Sequence, residues 1–154
     1  MEKLFRFNPF NIKEWKDSEV KQQYDILEDN ICNGDAPGEL AWDIDLYANM
    51  GYLIGEMVAR YYELVAIKKV EVESNISNAI YRERTQWTKE NTDKAPAMSY
   101  FENKAQSMHL DDLKELARLE SNLKRFKYAY DSIESKQNAL KKKMESIKYD
   151  TFNR

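Results

Sequence analysis

The sequence is poor in the residues that most often carry out chemistry or interrupt helices. It has one cysteine, one histidine, four glycines and three prolines among 154 residues. A single cysteine excludes an internal disulfide framework and suits a reducing compartment. Because helix breakers are few while 42% of the residues are hydrophobic and 33% are charged, the composition favours long helices that expose one face to water.

Long hydrophobic runs are also absent. The N-terminal residues MEKLFRFNPF contain no apolar stretch of signal-peptide length. No segment approaches the roughly 20 apolar residues that a membrane-spanning helix requires. We therefore expect a cytoplasmic protein, in the host cytoplasm if it is viral, with no membrane partner.

The usual patterns of catalytic and metal-binding residues are missing. His109 is the only histidine, Cys32 has no histidine near it in sequence, and no glycine-rich phosphate loop is present. The acidic residues Asp43 and Asp45 fit the first turn of a helix better than a metal site. The sequence therefore predicts that the protein is not an enzyme and has no cofactor and no metal ion.

A clear break divides the sequence near residue 33. The stretch NGDAPG at 33–38 ends any preceding helix and lets the next one begin just after Pro37. Residues 1–33 form an acidic and aromatic lead-in, with a turn at Asn8-Pro9 and a short helix expected within residues 12–31. Residues 34–154 form the predicted helical domain.

A long helix is predicted from Glu39 to about Thr88, on the order of 50 residues. Its apolar stripe, expected to face the interior, takes steps of four and three along Leu46, Met50, Leu53, Met57, Leu64 and Ile67, with Arg60 interrupting the series. Trp42, Leu40, Ile54, Val58 and Val65 widen this stripe, and Val72, Ile76, Ala79 and Ile80 keep helical spacing beyond it. A polar loop follows at residues 88–98. A capping box of Ser99 and Glu102 is then expected to start a short helix that ends near His109.

The last predicted helix has the strongest periodicity, with Asp111 and Asp112 expected at its start. Ten seam residues follow steps of three and four without a miss: Leu116, Leu119, Leu123, Phe126, Tyr130, Ile133, Gln137, Leu140, Met144 and Ile147. This pattern predicts coiled-coil-type packing, in which the polar Gln137 can fix register or oligomer state. The seam can be filled within one chain or between chains.

Together these elements predict an all-α fold, a long antiparallel helical hairpin with a short helical N-terminal segment. A bare two-helix hairpin has little interior, while both helices carry wide apolar stripes. We therefore expect the protein to form a homo-oligomer.

Cations and aromatic residues collect where the hairpin turns. The candidate nucleic-acid-binding residues are Tyr81, Arg82, Arg84, Trp87, Lys89, Lys94 and Lys104. Single-stranded nucleic acid is held by such a mixture, because cations neutralise phosphates and aromatic faces stack on bases. Alternatively, the aromatic residues close the end of the hairpin and the charges are solvated.

Charge is distributed unevenly along the chain, whose net charge is −3. Residues 14–45 contain ten acidic residues and two lysines, a net charge of −8, whereas residues 121–154 contain nine basic and four acidic residues, a net charge of +5. These regions can be solvated surface, complementary patches for head-to-tail assembly, or a basic track for a polyanion.

The layout resembles the UvsY-type recombination mediator proteins of tailed phages. The resemblance covers about residues 40–148 and is carried by the stretches YYEL at 61–64, KK at 68–69, YRER at 81–84 and YAYDSIESK at 128–136. It implies a small oligomeric viral protein that binds single-stranded DNA and assists recombination or replication. The alternative is a protein–protein interaction module, either an inhibitor of a host defence complex or a structural subunit of a viral assembly.

Overall fold

A computed structural model of the chain describes residues 12–152. Within that range it contains four α-helices, one 3-10 turn and no strand. The elements are the turn Ile12–Glu14, α1 (Asp17–Asp29), α2 (Pro37–Glu90), α3 (Met98–Met108) and α4 (Leu110–Phe152). The predicted turn at Asn8-Pro9 lies outside the described residues.

The long helices α2 and α4 pack against each other in opposite directions, which confirms the predicted all-α helical hairpin. The chain divides into two compact units, both of which contain part of α2 and part of α4. The described part of the first unit comprises residues 12–59 and 124–152, and the second unit comprises residues 60–123. The predicted domain boundary near residue 33 lies in the link between α1 and α2 and remains a prediction.

In the first unit, α1 and the ends of α2 and α4 enclose a hydrophobic core. Its fully or nearly fully buried residues include Val20, Leu27, Leu40, Leu46, Met50, Leu53, Met57 and Ile133. The side-chain amide of Gln137 donates a hydrogen bond to the carbonyl of Ile44 at 3.3 Å, and Gly55 faces Tyr130 further along. Gln137, the one polar seam residue, thus fixes the α2–α4 register within the chain.

The link between α1 and α2 is held by one buried carboxylate. Asp43, only 1% exposed, accepts hydrogen bonds from the backbone N–H groups of Cys32 at 2.7 Å and Asn33 at 2.9 Å. Asn33 has a φ of 54°, in the left-handed region that asparagine tolerates better than most residues. The expectation that Asp43 is only a first-turn charge is therefore wrong, because its carboxylate satisfies two backbone donors of the link.

In the second unit the inward face of α2 includes Val65, Val72, Ile76 and Ala79, as predicted, but it departs from the prediction at Leu64 and Ile67. The residues of α2 that are buried or half-buried there are Arg60, Tyr61, Val65, Lys68, Val72, Asn75, Ile76, Ala79, Ile80, Glu83, Thr85 and Trp87. Eight of them follow steps of four and three that repeat every 11 residues: Tyr61, Val65, Lys68, Val72, Ile76, Ala79, Glu83 and Trp87. The predicted inward placement of Leu64 and Ile67 is wrong, since they are 45% and 59% exposed. A seven-residue repeat drifts around a straight helix by about 20° per heptad, whereas an 11-residue repeat stays closer to 3.6 residues per turn.

Helix α3 starts two residues earlier than the capping box predicts. Ala97 is its N-cap and has no polar side chain to cap the helix, and the backbone N–H of Tyr100 donates to the carbonyl of Ala97 in the first turn. The expected capping by Ser99 is therefore wrong. The helix ends at Met108 with His109 as its C-cap, as predicted, and it buries Phe101 and Ala105.

Helix α4 presents its seam residues inward along most of its length. Leu119, Leu123 and Ile133 are buried, and Leu116, Phe126, Gln137, Leu140, Met144 and Ile147 are half-buried. Tyr130 is 40% exposed and lies beside Gly55 of α2. The seam is therefore used within the chain without being fully covered by it.

Candidate nucleic-acid interface

The last turns of α2 arrange the predicted cations around one exposed aromatic ring. Tyr81 is 72% exposed and marks the outward side of the helix. At about 100° per residue, Arg84 lies roughly 60° to one side of Tyr81, whereas Arg82 and Lys89 lie roughly 80–100° to the other. The three cations are themselves exposed. Tyr81 thus stands between positive charges on both flanks.

Glu83, the one acidic residue between Tyr81 and Lys89, faces the opposite way. Its side chain is 18% exposed and forms an ion pair with Lys104 of α3. The hydrogen bond from Lys104 to Glu83 raises the pKa of the Lys104 amino group. Because of its position around the helix, Glu83 holds its negative charge away from the outward surface. Lys104 neutralises that charge within the second unit.

The outward cations keep their charge available. Arg82, Arg84 and Lys89 form no ion pair with another residue in the part of the chain that the structure describes. We name the set Tyr81, Arg82, Arg84 and Lys89 the outward cationic face of α2. An anionic ligand can meet these side chains without first breaking an internal salt bridge.

Three of the seven predicted residues lie elsewhere. Trp87 is half-buried, and its indole N–H is enclosed without a hydrogen-bond partner among the described residues. Lys94 is exposed in the segment between α2 and α3, and Lys104 is engaged with Glu83. The structure therefore brings together Tyr81, Arg82, Arg84 and Lys89 and leaves the remaining three outside this face.

A shallow depression of about 390 Å³ lies on the same side of the helix. It is lined by Ser77, Ile80, Tyr81, Arg84, Thr85 and Thr88. The hydroxyl groups of Thr85 and Thr88 donate to the carbonyls of Tyr81 at 2.8 Å and Arg84 at 2.9 Å. The sequence analysis did not predict this depression. Steps of 100° per residue from Tyr81 would have placed Ser77 one turn before it and Thr88 two turns after it, on the same side of the helix.

The basic part of α4 is engaged within the first unit. Lys143 forms an ion pair with Asp35 in the link between α1 and α2, and the Lys136 amino group lies 5.9 Å from the centroid of the Tyr47 ring. Opposite charges predicted as separate patches thus meet inside one chain at these points.

A second polar cluster joins α2 to the start of α4. Lys68 donates to Asp112 at 2.8 Å and to Glu71 at 3.3 Å, and His109 Nδ1 lies 3.3 Å from Asp112. The hydrogen bond from Lys68, followed by that from His109, lowers the pKa of the Asp112 carboxyl. This cluster connects two helices and is not arranged to hold a metal ion.

Other reactive groups are sparse in the described part of the chain. No group of three or more histidine, cysteine or acidic residues there is arranged to hold a metal ion. Reduced solvation, followed by the carboxylates of Asp43 and Glu39, raises the pKa of the Cys32 thiol, which lowers its reactivity as a nucleophile. Within residues 12–152, no helix combines the length and apolar character needed to cross a bilayer.

Comparisons with protein-family models, with curated proteins and with solved structures give no match to this chain.

Proposed function

We propose that the protein is a small accessory protein that binds single-stranded nucleic acid, in particular single-stranded DNA, through the outward cationic face of α2. The observation that supports this proposal is the inward turn of Glu83, which leaves one exposed aromatic ring between three exposed cations. Mixed aromatic and cationic surfaces hold single strands because stacking does not depend on base identity. Assistance of recombination or replication, which the UvsY-type resemblance implies, belongs to the same proposal.

The electrostatic part of this function follows from counterion release. Each phosphate neutralised by a cation releases condensed counterions, so binding is tightest at low salt. The net charge of −3 opposes a polyanion at long range. Binding must therefore come from the local face and must fall quickly as salt screens it.

The test is a titration of a fluorescently labelled single strand followed by anisotropy at low salt. We expect the wild-type protein to bind, and the double variant Arg82→Ala/Lys89→Ala to bind about tenfold more weakly, because two phosphate contacts are lost. The control is Lys141→Ala/Lys148→Ala, which removes the same charge from exposed positions of α4. An equal loss in both double variants, or no binding by the wild type, would contradict the proposal.

A second candidate function is self-assembly, which the outward placement of apolar residues on α2 favours. Leu64, Ile67 and Val70 are 45%, 59% and 68% exposed over two turns of the helix. Adjacent exposed apolar side chains of this kind mark association surfaces more often than isolated ones do. A homo-oligomer that buries them is therefore our second proposal.

Light scattering coupled to size exclusion tests this second candidate. We expect the wild-type mass to be a multiple of the chain mass, and the mass of Ile67→Lys/Val70→Lys to fall towards one chain, because buried lysines oppose association. Glu73→Lys, at an exposed position of the same helix, controls for the added charge. A wild-type monomer at all concentrations would contradict self-assembly and leave the nucleic-acid proposal standing.

A further inference from the structure

The depression beside Tyr81, which we call the slot, is bordered by two side chains with flat groups, Tyr81 and Arg84. Tyr81 and Arg84 are separated by three positions on α2, so their Cβ atoms are about 5–6 Å apart on one side of the helix. A flat ligand held between a phenol ring and a guanidinium plane needs the two planes roughly 7 Å apart, twice the distance of van der Waals contact. Both side chains are exposed, so neither is held by packing at a shorter separation.

The residues around the slot are small or short. Ser77 lies one turn before Tyr81, Thr88 lies one turn after Arg84, and half-buried Ile80 forms an apolar floor. The volume of about 390 Å³ accommodates a flat ring system of the size of a nucleobase together with part of its sugar. No charged side chain other than Arg84 lines the depression.

We infer that this slot binds one unpaired base of a nucleic acid, stacked between the ring of Tyr81 and the guanidinium group of Arg84. The inference rests on the proposed function, since Arg82 and Lys89 hold the neighbouring phosphates in the same complex. A base in a duplex is already stacked on both faces and cannot enter, which gives the protein a preference for single strands. Every base has a π-face, so little sequence preference is expected.

The hydroxyl groups near the slot are consistent with little sequence preference. Thr85 and Thr88 donate their hydrogens to carbonyls of their own helix, so only their oxygen lone pairs remain for a ligand. Each common base carries an N–H donor on its pairing edge. An acceptor alone does not distinguish one base from another.

The test compares two single strands with the same phosphates: a short oligothymidine and a strand of the same length built from abasic sites. For the wild-type protein we expect the oligothymidine to bind about 5- to 150-fold more tightly, the range of one base stacked on an aromatic residue. Tyr81→Ala should bind both strands alike, whereas Tyr81→Phe should keep the preference because it keeps the ring.

Two further variants separate stacking from charge. Arg82→Ala should weaken binding to both strands by the same factor, because it contacts phosphate only. Arg84→Lys should reduce the preference for the oligothymidine at an unchanged salt dependence, since lysine keeps the charge and lacks the planar group. Circular dichroism of each variant verifies that the helices are intact.

The possible outcomes distinguish the base slot from the proposed nucleic-acid function. If the wild type binds both strands equally and with strong salt dependence, the base slot is wrong and the nucleic-acid function stands. If neither strand binds at low salt, both proposals fall. A preference for the oligothymidine that survives Tyr81→Ala would place base recognition elsewhere and overturn the slot.

Discussion

Asp43 shows how much of the first unit depends on one side chain. Its carboxylate, 1% exposed, accepts two backbone hydrogen bonds from the link that precedes α2. Hydrogen bonds to a charged acceptor contribute about 1.5–3 kcal/mol each, and unpaired buried donors are costly. The link is therefore fixed by a residue on the buried face of the helix.

We predict that Asp43→Ala lowers the free energy of unfolding by about 2–4 kcal/mol, because it leaves the N–H groups of Cys32 and Asn33 without their acceptor. Urea denaturation followed by circular dichroism measures the change. Asp45→Ala removes the same group at an exposed position and should change stability by less than about 0.5 kcal/mol. Equal effects of the two variants would contradict the assigned role of Asp43.

At the scale of a helix, two glycines in the middle of α2 lower its stability without being required by α4. A Cβ atom at Gly51 would lie 3.8 Å from Ile133, and one at Gly55 would lie 3.6 Å from Tyr130, both ordinary van der Waals distances. Glycine in a helix interior costs about 1 kcal/mol relative to alanine. The α2–α4 packing leaves room for the larger residue.

We therefore predict that Gly51→Ala and Gly55→Ala each raise the free energy of unfolding by about 0.5–1 kcal/mol. Gly34→Ala should instead lower the free energy of unfolding slightly, because its Cβ would displace the end of the exposed Glu39 side chain, which accepts the N–H of Ala36 at the start of α2. Thermal unfolding of the three variants gives the comparison. Destabilisation by all three would show that the glycines of α2 are needed for packing.

The contact between Lys68 and Asp112 makes the α2–α4 pairing of the second unit sensitive to acid. Because the pKa of Asp112 is lowered in the folded protein, the folded state binds fewer protons than the unfolded state near the ordinary value of 3.8. The stabilisation is therefore complete above that pH and is lost as the pH falls through the lowered pKa.

We predict that the urea midpoint of the wild-type protein falls more steeply between about pH 5 and pH 3 than that of Asp112→Asn. The asparagine carries no charge at any of these pH values, so protonation cannot remove one. Asp111→Asn, at the exposed neighbouring position, should follow the wild type. Parallel pH profiles for the wild type and Asp112→Asn would show that the ion pair has no influence on stability.

The presence of the helices could be predicted because the regular spacing of apolar residues is a local signal in the sequence. The start of α2 at Pro37 and the end of α3 at His109 follow from breakers and caps in the sequence. The inward face of α2 in the second unit was predicted in part: Val65, Val72, Ile76 and Ala79 lie inward as expected, whereas Leu64 and Ile67 do not. Leu64 and Val65 belong to competing stripes, and packing selects one of them. The same selection turned Glu83 inward, which the order of residues alone does not reveal.

At the scale of the whole molecule, net charge is a poor guide to what the protein binds. The acidic and basic regions of the sequence partly neutralise each other, as between Asp35 and Lys143. The charges that remain available on α2 are those of the outward cationic face, whose residues are brought together by their positions around the helix. A search by composition finds the cations near the turn of the hairpin but cannot say which of them share a face.

The most direct test of the central claim is the slope of log Kobs against log salt concentration for a single strand. We predict a negative slope for the wild-type protein, and a slope shallower by about 1.4 for Arg82→Ala/Lys89→Ala, since each phosphate contact on a single strand contributes about 0.7. A slope that stays the same in this double variant would contradict the claim that the outward cationic face of α2 holds the phosphates.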